Sequence, residues 1–371
     1  MKKVLFVATV VKTHIMEFHL PYLKALKEAG WETAVAARND YENPADCVIP
    51  YCDNYYNIDF ERSPFKPQNI KAYKELEKLI EENDYDVIHC HTPVGGALAR
   101  LAARKVRKRG AKVFYTAHGF HFCKGAPLKN WLIFYPAEKF LSRFTDVLFT
   151  INKEDYSRAL KFHAKETVYV PGVGVDIDKY RNTAVYRDAK RAEIGVPEDC
   201  FLILSVGELN KNKNHELIIR ALKGLDNPDI HYALAGSGEL LDYLKNLAVS
   251  LGVENQVHFL GYMDDVAQLC KTADVLVHPS FREGLPVAVM EALASGLPVI
   301  ATKIRGSADL IEDGVNGYLI DNSAPALCEK TRKCVNEKSS GNITAVLPEK
   351  YDVKSVVDEV MKYYGESFGE N

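Results

Sequence analysis

An α/β fold of two domains, each a parallel sheet covered by helices, is predicted by three features of this 371-residue chain. Short apolar bursts of strand length alternate with amphipathic segments of helix length, the pattern of strand, helix, strand units. The alternation runs through both halves. Between them the period breaks at Pro171-Gly172-Val173-Gly174-Val175-Asp176, a glycine cluster suited to a domain boundary. The length also exceeds what one core usually organises. Two Rossmann-like domains are therefore expected, over 1–173 and 174–351.

In the first half, strands are predicted over 3–9, 33–37, 86–90, 112–116, 146–150 and 167–170, where β-branched, aromatic and small apolar residues gather. Apolar runs of this kind read as strands buried on both faces, the habit of parallel sheets. Helices are expected at 15–29, 70–82 and 94–109, where apolar positions recur three and four apart. The second half repeats the scheme, with strands at 201–206, 230–235, 256–260, 274–278, 298–302 and 317–320 and helices at 214–223, 238–250 and 286–294. Met1-Lys2-Lys3 followed by Val4 to Val11 imitates a signal peptide, but Lys12 and His14 interrupt it and no small-residue cleavage site follows. It reads as a first strand. No run reaches membrane-spanning length. The net charge of −3 gives no global pull toward nucleic acid. The eight cysteines contain no Cys-x-x-Cys pair and read as reduced thiols of a cytosolic protein.

The stretch Pro279-Ser280-Phe281-Arg282-Glu283-Gly284-Leu285-Pro286, followed by Glu291, carries the most chemistry. It reads as a strand ending at Ser280, a loop with one glutamate, and a helix opened by Pro286 at its first position. Unpaired amides of Gly284, Leu285 and Val287, with the helix dipole, would form an anion site. Glu283 and Glu291 can accept hydrogen bonds from polyhydroxylated groups on either side of it. A second loop, Val206-Gly207-Glu208-Leu209-Asn210-Lys211-Asn212-Lys213, follows a strand and precedes a helix. One glycine with two lysines suits a phosphate held by side-chain cations. A dinucleotide dehydrogenase would instead need Gly-x-Gly-x-x-Gly after its first strand. Here that loop is Thr9-Val10-Val11-Lys12-Thr13-His14, with no glycine.

Together these segments resemble the donor site of the family 4 retaining glycosyltransferases, whose fold is GT-B, two Rossmann-like domains with parallel sheets facing across a cleft. The resemblance implies that Glu283 contacts donor-sugar hydroxyls and Glu291 the ribose, with Gly284, Leu285 and Pro286 at the helix start. The family's Gly-Arg-Leu with a following lysine is matched at Gly207, Leu209 and Lys213. Glu208 stands where the arginine would be, so Lys211 or Lys213 must compensate or Glu208 must turn away to a lysine. Leu234-Ala235-Gly236-Ser237-Gly238 matches the glycine turn near the donor, and Phe259-Leu260-Gly261-Tyr262 the segment that faces the base. Tyr115-Thr116-Ala117-His118-Gly119-Phe120 places His118 where the family has a histidine near the reacting centre. The segment 352–371 is expected to brace the first domain.

Two metal-like spacings are set aside on chemistry. His89-Cys90-His91 lacks a second ligand pair, and Asp176-Ile177-Asp178 reads as a helix cap before Lys179-Tyr180. No metal and no cofactor is expected. The acceptor side falls to the first domain, with Lys12, His14, His19 and His91 at strand ends, and Phe120, Lys124 and Trp131 in an aromatic segment. The run 120–135 has no acidic residue before Glu138. With the basic helix from Arg100 to Arg109, it suggests attraction to an anionic bilayer and shallow insertion of Trp131 and Phe134.

The expected activity is transfer of a sugar from a nucleotide diphosphate donor, a UDP-sugar, to a lipid-linked glycan acceptor in capsule, exopolysaccharide or other cell-surface glycan biosynthesis. The resemblance implies retention of configuration without a divalent metal, at the inner face of the cell membrane. Two rival readings are a nucleotide-sugar epimerase of similar fold and a non-catalytic sugar-nucleotide-binding subunit.

Overall fold

A computed structural model describes residues 1–337 and 345–367. Positions 338–344 of the expected second domain and 368–371 of the expected bracing segment lie outside the described residues. The chain divides into two compact units. One comprises Met1–Gly174 together with the segment from Val353, the other Val175–Asp352.

The first unit is built on strands β1 (Lys3–Val10), β2 (Glu32–Arg38), β3 (Asn54–Asn57), β4 (Val87–His91), β5 (Lys112–Ala117), β6 (Val147–Thr150) and β7 (Glu166–Tyr169). They form one parallel sheet in the order β3-β2-β1-β4-β5-β6-β7. The order reverses between β1 and β4, so the loops after these two strands diverge and leave a crevice at the carboxyl edge. Leu5, Val7, Ile88, Tyr115 and Leu148 fill the layer between this sheet and its helices. The helix Val353–Glu366 belongs to this unit. It delivers Tyr364 into the core, where the hydroxyl lies 2.7 Å from His89 Nδ1 and the ring packs on Phe114 and Trp31.

The second unit contains β8 (Phe201–Val206), β9 (Ile230–Ala235), β10 (Val257–Gly261), β11 (Val275–His278), β12 (Val299–Thr302) and β13 (Gly317–Ile320). The order β10-β9-β8-β11-β12-β13, again all parallel, puts its reversal between β8 and β11. Ile203, Leu222, Tyr232, Val277 and Ile300 centre its core. Both ends of this unit meet, because Val175 pairs with Asp352 in a parallel bridge.

Three expectations change. The segment 15–29 splits into a wide turn, Val11–Met16, and a helix, Leu20–Glu28, which Pro21 starts. The segment 94–109 likewise divides at Ala103 into Pro93–Ala102 and Arg104–Lys108. β3 was not expected, since Asn-Tyr-Tyr-Asn lacks an apolar signature. Among the described residues no helix is long and apolar enough to cross a membrane.

Candidate functional site

In the second unit the crevice between β8 and β11 holds the predicted donor residues. Lys213 Nζ lies 2.8 Å from Glu283 Oε1, and His278 Nε2 lies 3.3 Å from the same oxygen. Ser280 Oγ is 3.1 Å from that His278 nitrogen, and Arg305 Nε donates to the Glu283 carbonyl at 2.9 Å. Burial raises the pKa of Glu283, but His278 and Lys213 outweigh it and hold the group at about 2. Glu283 is thus a fixed carboxylate between two nitrogen groups.

The helix beyond it runs Val287–Ala294, with Pro286 in extended geometry as its cap and not, as the sequence suggests, its first residue. The amides of Gly284, Leu285 and Val287 have no acceptor among the described residues. They stand beside the Lys213–Glu283 pair at the positive end of the helix. Glu291, further along, accepts a hydrogen bond from the Tyr180 hydroxyl, a partner that spacing could not reveal. Burial, then the Glu291 charge, pushes the Tyr180 phenol up, so it stays a donor.

Two glycine loops close on this crevice. Gly236 has φ +153°, and a Cβ there would stand 1.9 Å from the Gly207 carbonyl oxygen. The Lys213 stem in turn lies against Gly207, 3.3 Å from where its Cβ would be. Gly236→Ala is therefore expected to displace the 207–213 loop and cost roughly 1–3 kcal/mol of stability. Thermal unfolding checks it; an unchanged melting curve would show that the loop has room.

Of the two alternatives for Glu208 the second is not realised, since among the described residues it pairs with neither lysine. Its Oε2 accepts from Asn210 Nδ2 at 2.9 Å on an exposed turn, while Lys213 is committed to Glu283. Tyr262 is 72% exposed just beyond β10. Asp176 accepts from the Lys179 amide at 2.9 Å and caps the helix Ile177–Asn182, as its spacing suggests.

In the first unit, the crevice between β1 and β4 opens into a cavity of 460 Å³. Thr9 and Thr92, hydroxyls 2.7 Å apart, stand at the reversal point itself. His14, Arg62, Phe120 and Phe134 also line the cavity. Of the predicted acceptor residues, His14 and Phe120 belong to this lining. Lys12, His91, Lys124 and Trp131 do not. Lys12 Nζ lies 5.5 Å over the Tyr41 ring, and the Lys124 amide donates to Glu154 at 2.7 Å.

His118 follows β5 directly and sits among other imidazoles. Its Nε2 is 3.4 Å from His91 Nδ1, and its ring centroid is 4.9 Å from that of His14 and 5.5 Å from that of His19. Desolvation lowers the His118 pKa to about 4, and burial first, then neighbouring charges, lowers those of His14, His19 and His91 well below the usual imidazole value. The His89-Cys90-His91 triplet separates. Both His89 nitrogens are engaged, by Tyr364 and by Thr116 at 2.8 Å, while His91 turns to the cluster.

The predicted membrane face is also revised. Trp131 and Phe134 turn inward, Trp131 against Phe122 and Phe134 against His121 at 4.8 Å. The outer face of their helix, Leu128–Leu141, instead exposes Leu128, Leu132, Ile133 and Phe140. Part of the basic run is engaged in ion pairs, while Arg104, Lys108 and Arg109 remain exposed. Arg100 is buried against Glu138 at 2.9 Å and stacks on Tyr115, Arg107 grips Asp146, and Lys105 meets Glu81 at 2.7 Å.

Two doubly wound units, one with an anion-ready helix start at its reversal point, define the GT-B class of proteins. The crystal structure of Anabaena Alr3699/HepE in complex with UDP and glucose shares this fold at a TM-score of 0.82 and 20% identity, covering 99% of this chain and 100% of that one. So does WaaG, a glycosyltransferase involved in lipopolysaccharide biosynthesis, at a TM-score of 0.70 and 18% identity, over 99% of this chain and 96% of that one. In sequence, the family model described as Glycosyl transferases group 1 matches residues 186–344, and Glycosyl transferase 4-like matches 3–152. EpsD of Bacillus subtilis (strain 168), a protein named as a glycosyltransferase, is 43% identical over 98% of this chain and 96% of its own. The UDP-Gal:alpha-D-GlcNAc-diphosphoundecaprenol alpha-1,3-galactosyltransferase of Escherichia coli is 29% identical over 80% of this chain and 79% of its own. The chain belongs to the family 4 glycosyltransferases.

Proposed function

We propose that this glycosyltransferase moves a sugar from a UDP-sugar to a saccharide carried on a lipid diphosphate, in the assembly of an exopolysaccharide, capsule or related cell-surface glycan. The observation that carries the reading is the Lys213–Glu283 pair set against the free amides of the Val287–Ala294 helix start. Amides and lysine suit a diphosphate, and the fixed carboxylate suits sugar hydroxyls. The UDP bound in the Anabaena structure and the diphosphoundecaprenol acceptor in the Escherichia coli relative's name favour the two substrate classes. Configuration is retained in this proposal, the leaving diphosphate helping to deprotonate the acceptor, and the family resemblance assigns His118 a contact with the donor near the reacting centre. Helix start and Lys213 stabilise the charge that develops on the leaving group.

The test is a panel of UDP- and GDP-sugars followed for nucleotide release with and without an undecaprenyl-diphosphate glycan. Release that depends on acceptor and UDP-sugar is expected. A changed nucleotide sugar without acceptor would identify an epimerase, and no turnover a binding subunit. Added Mg²⁺ or Mn²⁺ is expected to leave the initial rate unchanged, because protein groups already serve the diphosphate; a rate that depends on either ion would overturn that part.

Glu291→Ala is expected to weaken UDP binding by roughly 1–3 kcal/mol, the cost of a lost hydrogen bond to a charged group. Tyr180→Phe, which leaves the carboxylate in place, should weaken it less. Calorimetry that finds unchanged UDP affinity in Glu291→Ala would remove the ribose assignment.

The exposed stripe on Leu128–Leu141, with Lys129 and Arg143 nearby, is proposed to lie on the anionic inner face of the membrane, close to a lipid-borne acceptor. Replacing Leu132 and Ile133 by serine should abolish sedimentation with phosphatidylglycerol vesicles and leave UDP affinity intact. Wild-type protein that stays in the supernatant at low salt would exclude a membrane role for this face.

A further inference from the structure

At the carboxyl edge of the first unit's sheet, three adjacent strands bring together four imidazoles that the sequence scatters. His14 comes from the turn after β1, His19 from the start of the next helix, His91 from the end of β4 and His118 from the position after β5. One nitrogen from each lies within 4.8 Å of all the others. The rings of His19 and His91 are 3.8 Å apart, centroid to centroid, and Phe6 and Phe18 wall the group on its apolar sides.

What singles out this group is its unmet hydrogen bonding. A neutral imidazole carries one donor and one acceptor, and a buried group left without a partner is costly. His19 and His91 are each 1% exposed, yet neither nitrogen of His19, nor Nε2 of His91 or of His14, has a partner. His89, next to His91, shows the contrast, since a tyrosine and a threonine hydroxyl satisfy both its nitrogens. Packing alone does not require three orphaned imidazoles to converge on one point.

We propose that His14, His19, His91 and His118 form a binding site for a divalent first-row transition-metal ion, Zn²⁺ or a close relative. Neutral imidazole lone pairs suit such ions, whereas Mg²⁺ and Ca²⁺ take oxygen ligands, and no oxygen donor belongs to the cluster. Tetrahedral zinc with bonds of about 2.0–2.1 Å needs ligand nitrogens roughly 3.3–3.4 Å apart. His118 Nε2 is already 3.4 Å from His91 Nδ1, and side-chain rotation must draw the others in, with a ring flip if the orphaned Nε2 of His91 is the ligand. None of the four histidines is among the groups proposed to serve the diphosphate, so the site does not conflict with transfer that needs no added Mg²⁺ or Mn²⁺. It does compete for His118, since an imidazole that ligates a cation is withdrawn from the sugar.

Untagged full-length protein, stripped with dipicolinate, is titrated with Zn²⁺ against a chromophoric chelator, and with Co²⁺ followed by visible absorption. One ion per chain is expected, with the intense Co²⁺ bands of four-coordinate geometry. His14→Ala and His91→Phe should each weaken Zn²⁺ binding by at least on the order of 10-fold, since even groups that only orient a ligand are worth that much. His163→Ala, outside the cluster, should bind as wild type. Circular dichroism shows which variants fold, and the half-buried His14 is the less disruptive site to change. Failure of the wild type to bind one ion would overturn the proposal, as would a folded His14→Ala that binds as tightly as wild type. Neither readout depends on transferase activity.

Discussion

Glu283→Gln is expected to lower the turnover of sugar transfer by on the order of 100-fold, equivalent to ~2.7 kcal/mol of barrier. The substitution keeps the shape of the side chain and removes its charge. Lys213 Nζ, 2.8 Å away, and His278 Nε2, 3.3 Å away, then lose the carboxylate that orients them. A lysine released from that contact no longer points where the leaving diphosphate develops charge, and the sugar hydroxyls lose a charged acceptor worth roughly 1.5–3 kcal/mol. UDP affinity should change far less, because the amides of Gly284, Leu285 and Val287 remain. Steady-state kinetics beside calorimetry separate the two. Turnover within about threefold of wild type would remove Glu283 from the reaction. A matching fall in UDP affinity would make it a nucleotide ligand.

The second large effect is on stability. Asp274 sits just before β11, where its carboxylate accepts from the Leu202 amide at 2.7 Å and from Arg191 Nη2 at 2.9 Å, with Arg187 also paired to it. Arg191 is 1% exposed and also donates to the Cys200 carbonyl at 2.9 Å. Asp274→Ala would strand a guanidinium in the core of the second unit, at a cost of roughly 3–5 kcal/mol. For a domain of this size that lowers the melting temperature by roughly 6–20 °C. Replacing both partners at once, Arg191→Met with Asp274→Leu, should recover much of the loss, because the charge then left unpaired is Arg187, which water reaches. A single variant that melts with wild type would show that water reaches Arg191.

The strands of both sheets were legible because parallel sheets write their burial into the sequence. Val4 to Val10 and Phe201 to Val206 have little polar interruption, the habit of strands buried on both faces. β3 was not legible because Asn54-Tyr55-Tyr56-Asn57 lies at a sheet edge, where half the pattern faces water. On Leu128–Leu141 the composition was visible and its direction was not. Trp131 and Phe134 face inward while Leu132 and Ile133 face out, and a helix with apolar residues on both sides has no periodicity to tell them apart. At the candidate donor site, the glutamates could be read from a local loop-to-helix pattern. Lys213 could be read from its own loop, but its pairing with Glu283 could not, nor could His278 and Tyr180 as partners, because those contacts are made only in the folded unit. The histidine cluster is the extreme case, since its members meet only once β1, β4 and β5 lie side by side.

Tyr364 has a consequence for how the molecule comes into being. On the ribosome the second unit, contiguous from Val175 to Asp352, is wholly synthesised before the first unit is complete. The first unit must wait with His89 and Phe114 lacking their capping ring until the final helix, Val353–Glu366, emerges. The usual order, in which the N-terminal domain matures first, is thereby inverted. A nonsense codon between Asp352 and Tyr364 would spare the second unit and deprive the one translated first of its capping ring.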